Sequence, residues 1–204
     1  MTALWDVPLA LRETVDRPSL AEIAQIVFAL LRTRSDAVLF GAYGVNAYVD
    51  PPRMTEDIDV LSTDAAGLAE EVRSSLTERF RIAVRVRVVA DGRGFRVYQL
   101  RQPRNRHLVD VRQVDEVPEW NRIDGVRVVR APALFVMKLE SYAARKRTPK
   151  GITDKVDIVR MLQAYPEFPD RGPVALLLAR APQAARDALD EIQSEGYGPD
   201  DDTW

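Results

Sequence analysis

The run from Gly41 to Asp59, GAYGVNAYVDPPRMTEDID, constrains this chain more than any other stretch. An apolar segment, Ala37 to Phe40, runs into small residues that suit a tight turn and a short helix. A basic loop follows, and then Asp57-Ile58-Asp59-Val60-Leu61. A strand alternates its side chains between faces, so Asp57 and Asp59 project together while Ile58 and Val60 enter a core. Two carboxylates so close repel one another unless a cation lies between them. A hard divalent ion with oxygen ligands, such as Mg²⁺, answers that need and keeps positions open for phosphate oxygens. A solvated edge strand whose acids blunt aggregation would look much the same locally. The glycine turn before it and Arg53-Met54-Thr55 favour the ligand-binding alternative.

The flanking pattern predicts alternating helices and strands. Ser19 and Glu22 form a capping box for a helix reaching about Arg34, with Ile23, Val27, Leu30 and Leu31 on one face. A strand is expected from Asp36 to Gly41, a short helix from Gly44 to Val49, and a second strand from Thr55 to Ser62. A helix from Asp64 to Phe80 turns Leu68, Val72 and Leu76 inward. Arg81 to Ala90 alternates cleanly and should form a hairpin with Phe95 to Leu100 through Asp91-Gly92-Arg93-Gly94. His107 to Arg112 reads as a strand on which Asp110 shares a face with Leu108 and Arg112. His107, the only histidine, is assigned to the end of this strand and to no chemistry. Pro132 opens a helix to about Lys146, Thr153 caps the next one, and two more fit Pro173 to Arg180 and Pro182 to Ser194.

The formal charge of −2 hides an asymmetry. Between Arg79 and Arg106 there are nine arginines against one acid, Asp91, while after Arg186 there are seven acids and no base. A basic centre suits a polyanion, either a triphosphate or RNA, although a solvated strand face would carry the same charges. Without cysteine there are no disulfides, zinc–thiolate sites or cysteine nucleophiles. No serine has a histidine partner that would support a triad. The N-terminus lacks the pattern of a signal peptide, and no apolar run approaches the length of a membrane span. A cytoplasmic location is the expectation.

The succession strand, Gly41-Ala42, short helix, Arg53-x-Thr55-x-Asp57-Ile58-Asp59 resembles the nucleotidyltransferase superfamily of the DNA polymerase β fold. More narrowly it is similar to the AbiEii-type toxin nucleotidyltransferases of type IV toxin–antitoxin systems and their uncharacterised relatives. The resemblance implies an α/β (α+β) fold: a mixed, twisted sheet flanked by helices, with a catalytic part over residues 1–130. A helical C-terminal part over 131–204 would follow, ending in an acidic tail from about residue 195. It implies that Gly41 and Ala42 receive the triphosphate, although relatives more often carry Gly-Gly or Gly-Ser there and Ala42 lacks the hydroxyl. Asp57 and Asp59 would hold two Mg²⁺ ions, with Mn²⁺ an acceptable substitute, and Asp110 would complete the metal site in preference to Asp115. The run PALFVMKLESYAARKRTPKGITDKVDI is similar to the family's helical element, which implies nucleotide-site roles for Lys138, Lys150 and Asp154. Relatives place a basic residue directly before that acid, where this chain has Thr153. The resemblance places Arg53 and Thr55 in the same nucleotide site.

The function so implied is Mg-dependent transfer of a nucleoside monophosphate from an NTP to a hydroxyl acceptor, with pyrophosphate leaving. The acceptor expected is tRNA or another macromolecule, and a cognate antitoxin protein is the expected partner if the chain is a toxin. A small-molecule, antibiotic-type nucleotidyltransferase and a catalytically silent nucleotide-binding module with the same fold are the alternatives.

Overall fold

The computed structural model describes residues 18–169 and 172–196. The N-terminal segment read for signals and most of the acidic tail lie outside them. Among the described residues seven strands form one mixed sheet in the order β3-β4-β5-β2-β1-β7-β6. The elements run α1 (Leu20–Thr33), β1 (Ala37–Phe40), α2 (Gly41–Asn46), β2 (Ile58–Ser62), α3 (Ala65–Phe80), β3 (Val84–Val89) and β4 (Gly94–Gln99). They continue β5 (Arg106–Gln113), β6 (Trp120–Ile123), β7 (Val126–Val129), α4 (Ala131–Arg145), α5 (Pro149–Ala164), α6 (Gly172–Arg180) and α7 (Gln183–Glu195).

The sheet's centre is dry. All four residues of β1 are buried, as its unbroken apolar run requires when both faces are covered. It pairs antiparallel with β2 and parallel with β7, while β2 pairs parallel with β5. The β3–β4 hairpin adds to β5 and leaves β3 at the edge. Helices α1 and α3 pack on the sheet, α3 against β2 to β5 through Leu68, Val72 and Leu76, each fully buried. The capping box is formed: Ser19 Oγ accepts from the Glu22 amide at 3.2 Å, and the Ser19 amide donates to Glu22 Oε2 at 2.8 Å.

Several boundaries differ from the sequence-based expectation. Helix α2 begins at Gly41, with no residue between it and the strand. The strand β2 begins at Ile58, so Thr55, Glu56 and Asp57 belong to the preceding loop. Helix α5 starts at Pro149, capped by Thr148, whose Oγ1 accepts from the Gly151 amide at 3.1 Å. Thr153 is not a cap; it lies inside the helix and donates to the Pro149 carbonyl at 3.1 Å. Gly151 permits this early start, because a Cβ there would collide with the Arg145 carbonyl. The β6–β7 hairpin was not anticipated. Its signal is Asp124-Gly125, two consecutive residues at positive φ (49° and 81°), the geometry of a tight I′ turn.

Helix α4 docks on α2 where Gly44 faces Leu134, whose methyls would stand 3.2 Å from a Cβ at Gly44. One continuous hydrophobic cluster runs from Ile23 in α1 to Ile192 in α7. This docking brings α4 and α5 to the open side of the sheet and creates a cleft.

Candidate active site

A row of residues crosses four strands beneath the cleft. Arg87 is in register with Arg96, Arg96 with Asp110, and Asp110 with Asp59, so all four side chains leave the same face. Asp59 and Asp110 are therefore neighbours on parallel strands, placed by the ladder. Asp57 enters the same cleft from the loop before β2. The three acids singled out from the sequence are thus brought together.

Their environments differ. Burial, and then the charge of Asp57 and Asp110, pushes the Asp59 carboxyl up to about 6, with Arg112 and Lys138 opposing. No cation lies within ion-pair distance of Asp59 among the described residues. The hydrogen bond from His107 holds Asp57 below its ordinary value, helped by the charge of Lys150. That bond runs from His107 Nδ1 to Asp57 Oδ2 at 3.2 Å. Asp110 lies 3.5 Å from Arg96 Nε.

His107 is a site residue that the sequence reading missed, and a β-bulge explains why. Val97 pairs with Val109 but Tyr98 pairs with His107, so the ladder skips Leu108, which is wholly buried. Simple alternation puts His107 and Asp110 on opposite faces; the bulge turns both to the cleft. Arg96 was also missed. Its register partner Asp110 becomes visible only once the two strands are aligned.

Gly41 closes the floor. Its φ of +64° is a conformation that side chains disfavour, and a Cβ would come within 2.7 Å of both Asp59 Cβ and Cγ. The chain can turn from β1 into α2 directly beneath Asp59 only because this residue is glycine. Ala42, the next residue, is buried and lines the cleft.

The opposite wall belongs to α4 and α5. Lys138 is buried and donates to Asp154 Oδ1 at 3.0 Å, and its Nζ lies 2.8 Å from Asp157 Oδ2. Arg53 reaches from the loop to grip Asp157 with two nitrogens, at 2.5 and 2.7 Å. Arg145 pairs with Asp154 at 2.6 Å. Burial alone would raise the Asp157 carboxyl, but Arg53 and Lys138 hold it below its ordinary value. Lys138 is thus held inside the fold rather than on its surface, and Asp157 pairs with Arg53 and Lys138, with Arg160 at 4.0 Å. Lys150 is exposed at the start of α5 and faces the cleft without an ion-pair partner among the described residues. Thr55 donates to the Asp57 carbonyl at 3.3 Å.

The cleft measures about 1740 Å³, well beyond the few hundred to a thousand typical for one small ligand, so it has room for two reactants. Arg85, Arg87, Arg101 and Arg104 line its outer edge and are exposed. Arg87 and Arg96 oppose one another across the ladder, an unfavourable pairing that an anion between them would relieve.

The sequence model of the family described as "Nucleotidyl transferase AbiEii toxin, Type IV TA system" matches residues 25–197. Among solved structures, the fold is similar to JHP933 from Helicobacter pylori, at 17% identity and a TM-score of 0.52 over 72% of this chain and 66% of that one. It is also similar to the Megavirus polyadenylate synthase, at 15% identity and a TM-score of 0.55 over 79% of this chain and 36% of that one. This chain thus spans less than two thirds of either protein's length, and at such identities the likeness concerns the fold. No curated protein is close enough in sequence to match. No helix among the described residues is long and apolar enough to cross a membrane.

Proposed function

The chain belongs to the AbiEii family of nucleotidyltransferase toxins of type IV toxin–antitoxin systems, and from that premise we propose that it transfers a nucleoside monophosphate from an NTP to a hydroxyl of an RNA acceptor such as tRNA, using Mg²⁺. The observation that carries this reading is the juxtaposition of Asp59 and Asp110 on β2 and β5, with Asp57 beside them, in a cleft whose lining is rich in arginine and lysine. The donor set fits a hard divalent ion: it is all carboxylate oxygen, and Asp59 bears repulsion from its two neighbours that Arg112 and Lys138 offset only in part. Among the described residues no three such groups converge as a finished metal site. Asp57 and Asp110 would therefore exchange His107 and Arg96 for the ion. Bound there, Mg²⁺ would supply charge neutralisation for the attacking and leaving oxygens.

The chain's own groups divide the remaining work. Gly41 and Ala42 let phosphate approach the backbone beside Asp59. Lys138, Arg53 and Arg145 present positive charge already oriented by Asp154 and Asp157, so little reorganisation is needed as charge develops on the triphosphate. Lys150 is free to close on the outer phosphates. The exposed arginines of the β3–β4 hairpin and the loop after it form a second group of cations along the cleft's outer edge, which favours a polyanionic acceptor. A cognate antitoxin is the partner that family membership suggests.

The test is incubation with labelled NTPs and total cellular RNA, protein or small-molecule extract, with Mg²⁺ or Mn²⁺ present. Label in RNA supports this reading. Label only in protein or small molecules moves the acceptor, and no label in any fraction favours a silent nucleotide-binding module.

A further inference from the structure

Asp57 differs from the other two acids in one physical respect: no sheet register fixes it. Asp59 and Asp110 are held by ladders on both sides, but β2 begins only at Ile58. Asp57 is therefore placed by the loop from Ala47 to Asp57, which α5 holds together with Asn46 of α2, while His107 of β5 meets Asp57 itself.

Three side chains on one stretch of α5 reach the loop. Asp157, wholly buried, grips Arg53 bidentately. Arg160 donates to the Pro51 carbonyl, to the Val49 carbonyl at 3.5 Å and to Asn46 Oδ1 at 3.3 Å. Tyr165, which caps the helix, donates to the Tyr48 carbonyl at 3.3 Å. Asn46 then pins the Arg53 backbone on both sides, donating to its carbonyl at 2.8 Å and accepting from its amide at 3.1 Å. Arg53 also donates to the Met54 carbonyl at 3.0 Å. Asp157 does not line the cleft, so it cannot act on a ligand directly.

We propose that Asp157 and Arg160 are positioning residues that fix the loop carrying Asp57, so that helix α5 sets the geometry of the carboxylate site from behind. A buried, charge-assisted bidentate pair is geometrically exacting, whereas a loop without it would sample many conformations. The consequence for catalysis rests on the reading of Asp57 as a site carboxylate; the clamp itself does not.

Hydrogen exchange on the full chain, comparing wild type with Asp157→Asn and Arg160→Gln, tests the clamp without any substrate. Arg160→Gln is included because it keeps the ion pairs of Asp157 with Arg53 and Lys138 and so should fold if Asp157→Asn does not. Exchange at the amides of residues 53–57 should rise about tenfold or more while strands β1, β2 and β5 keep their protection. Unchanged exchange in the loop, or a rise spread evenly over the chain, would overturn the clamp. In the transfer assay the same variants should lose about tenfold to a hundredfold in kcat with a smaller change in KM for NTP, as misplacement of a reacting group does. Loosening of the loop with kcat intact would overturn the positioning role. A wild type without transfer activity would sink the functional reading, and the exchange result would still decide the clamp.

Discussion

Asp59 and Asp110 are register partners on the parallel strands β2 and β5, and among the described residues no cation lies within ion-pair distance of Asp59. The sheet thus holds like charges together that would part in solution. Folding retains that repulsion, and a bound cation would remove it.

The pH dependence of stability follows with a definite sign. Asp59 titrates near 6 in the folded chain against an ordinary value near 3.8. Its protonated form is the one folding favours, so the contribution is fully present below about pH 4 and is lost as pH rises through 6. Asp59→Asn should therefore raise thermal stability at pH 7 to 8, by up to about 3 kcal/mol at roughly 1.4 kcal/mol per pH unit. The gain should vanish near pH 4. Melting curves of both proteins across pH 4 to 8 check this; a gain that does not change with pH would contradict it.

Gly41→Ala should be far more damaging than its size suggests. The left-handed backbone costs about 1–2 kcal/mol for alanine, and the new methyl would displace the Asp59 carboxylate. Transfer should be abolished while the chain still folds, as judged by melting and by the labelled-NTP assay. Ala42→Gly, one residue on and with ordinary backbone geometry, should leave transfer largely intact.

Lys138→Ala should cost about 1.5–3 kcal/mol, because it takes from the buried Asp154 and Asp157 the charged partner they share and leaves them to Arg145 and Arg53. A surface lysine covering apolar area would lose much less. Urea denaturation separates the two outcomes, and titration with a non-hydrolysable NTP, run where the variant is folded, measures the accompanying loss of phosphate affinity.

Arg85→Ala/Arg87→Ala should leave NTP affinity nearly unchanged and weaken RNA binding. Each phosphate contact releases counterions, so the log–log salt slope for tRNA should flatten by up to about two contacts' worth. Equal slopes for wild type and variant would remove this hairpin from the acceptor surface.

Much of this was legible in the sequence because its signals are local. The capping box at Ser19, the uniformly apolar β1 and the alternation of Val84 to Val89 each announce an element through neighbouring residues. The family pattern added the three acids, Gly41, Lys138 and Asp154, and the structure brings all of them to one cleft. What was missed depends on contacts distant in sequence or on broken periodicity. His107 reaches Asp57 only through the bulge at Leu108, and Arg53 finds Asp157 from 104 positions away. The early start of α5 depends on Gly151 meeting the Arg145 carbonyl, a fit that no single segment reveals.

The most direct measurement of the central claim is transfer of label from an α-labelled NTP to RNA by wild type, Asp59→Asn and Asp110→Asn, each first shown to be folded. Wild type should label RNA in a Mg²⁺- or Mn²⁺-dependent manner with release of pyrophosphate, and both variants should lose nearly all of it. Undiminished labelling by either variant would contradict the assignment of these paired carboxylates as the reacting centre.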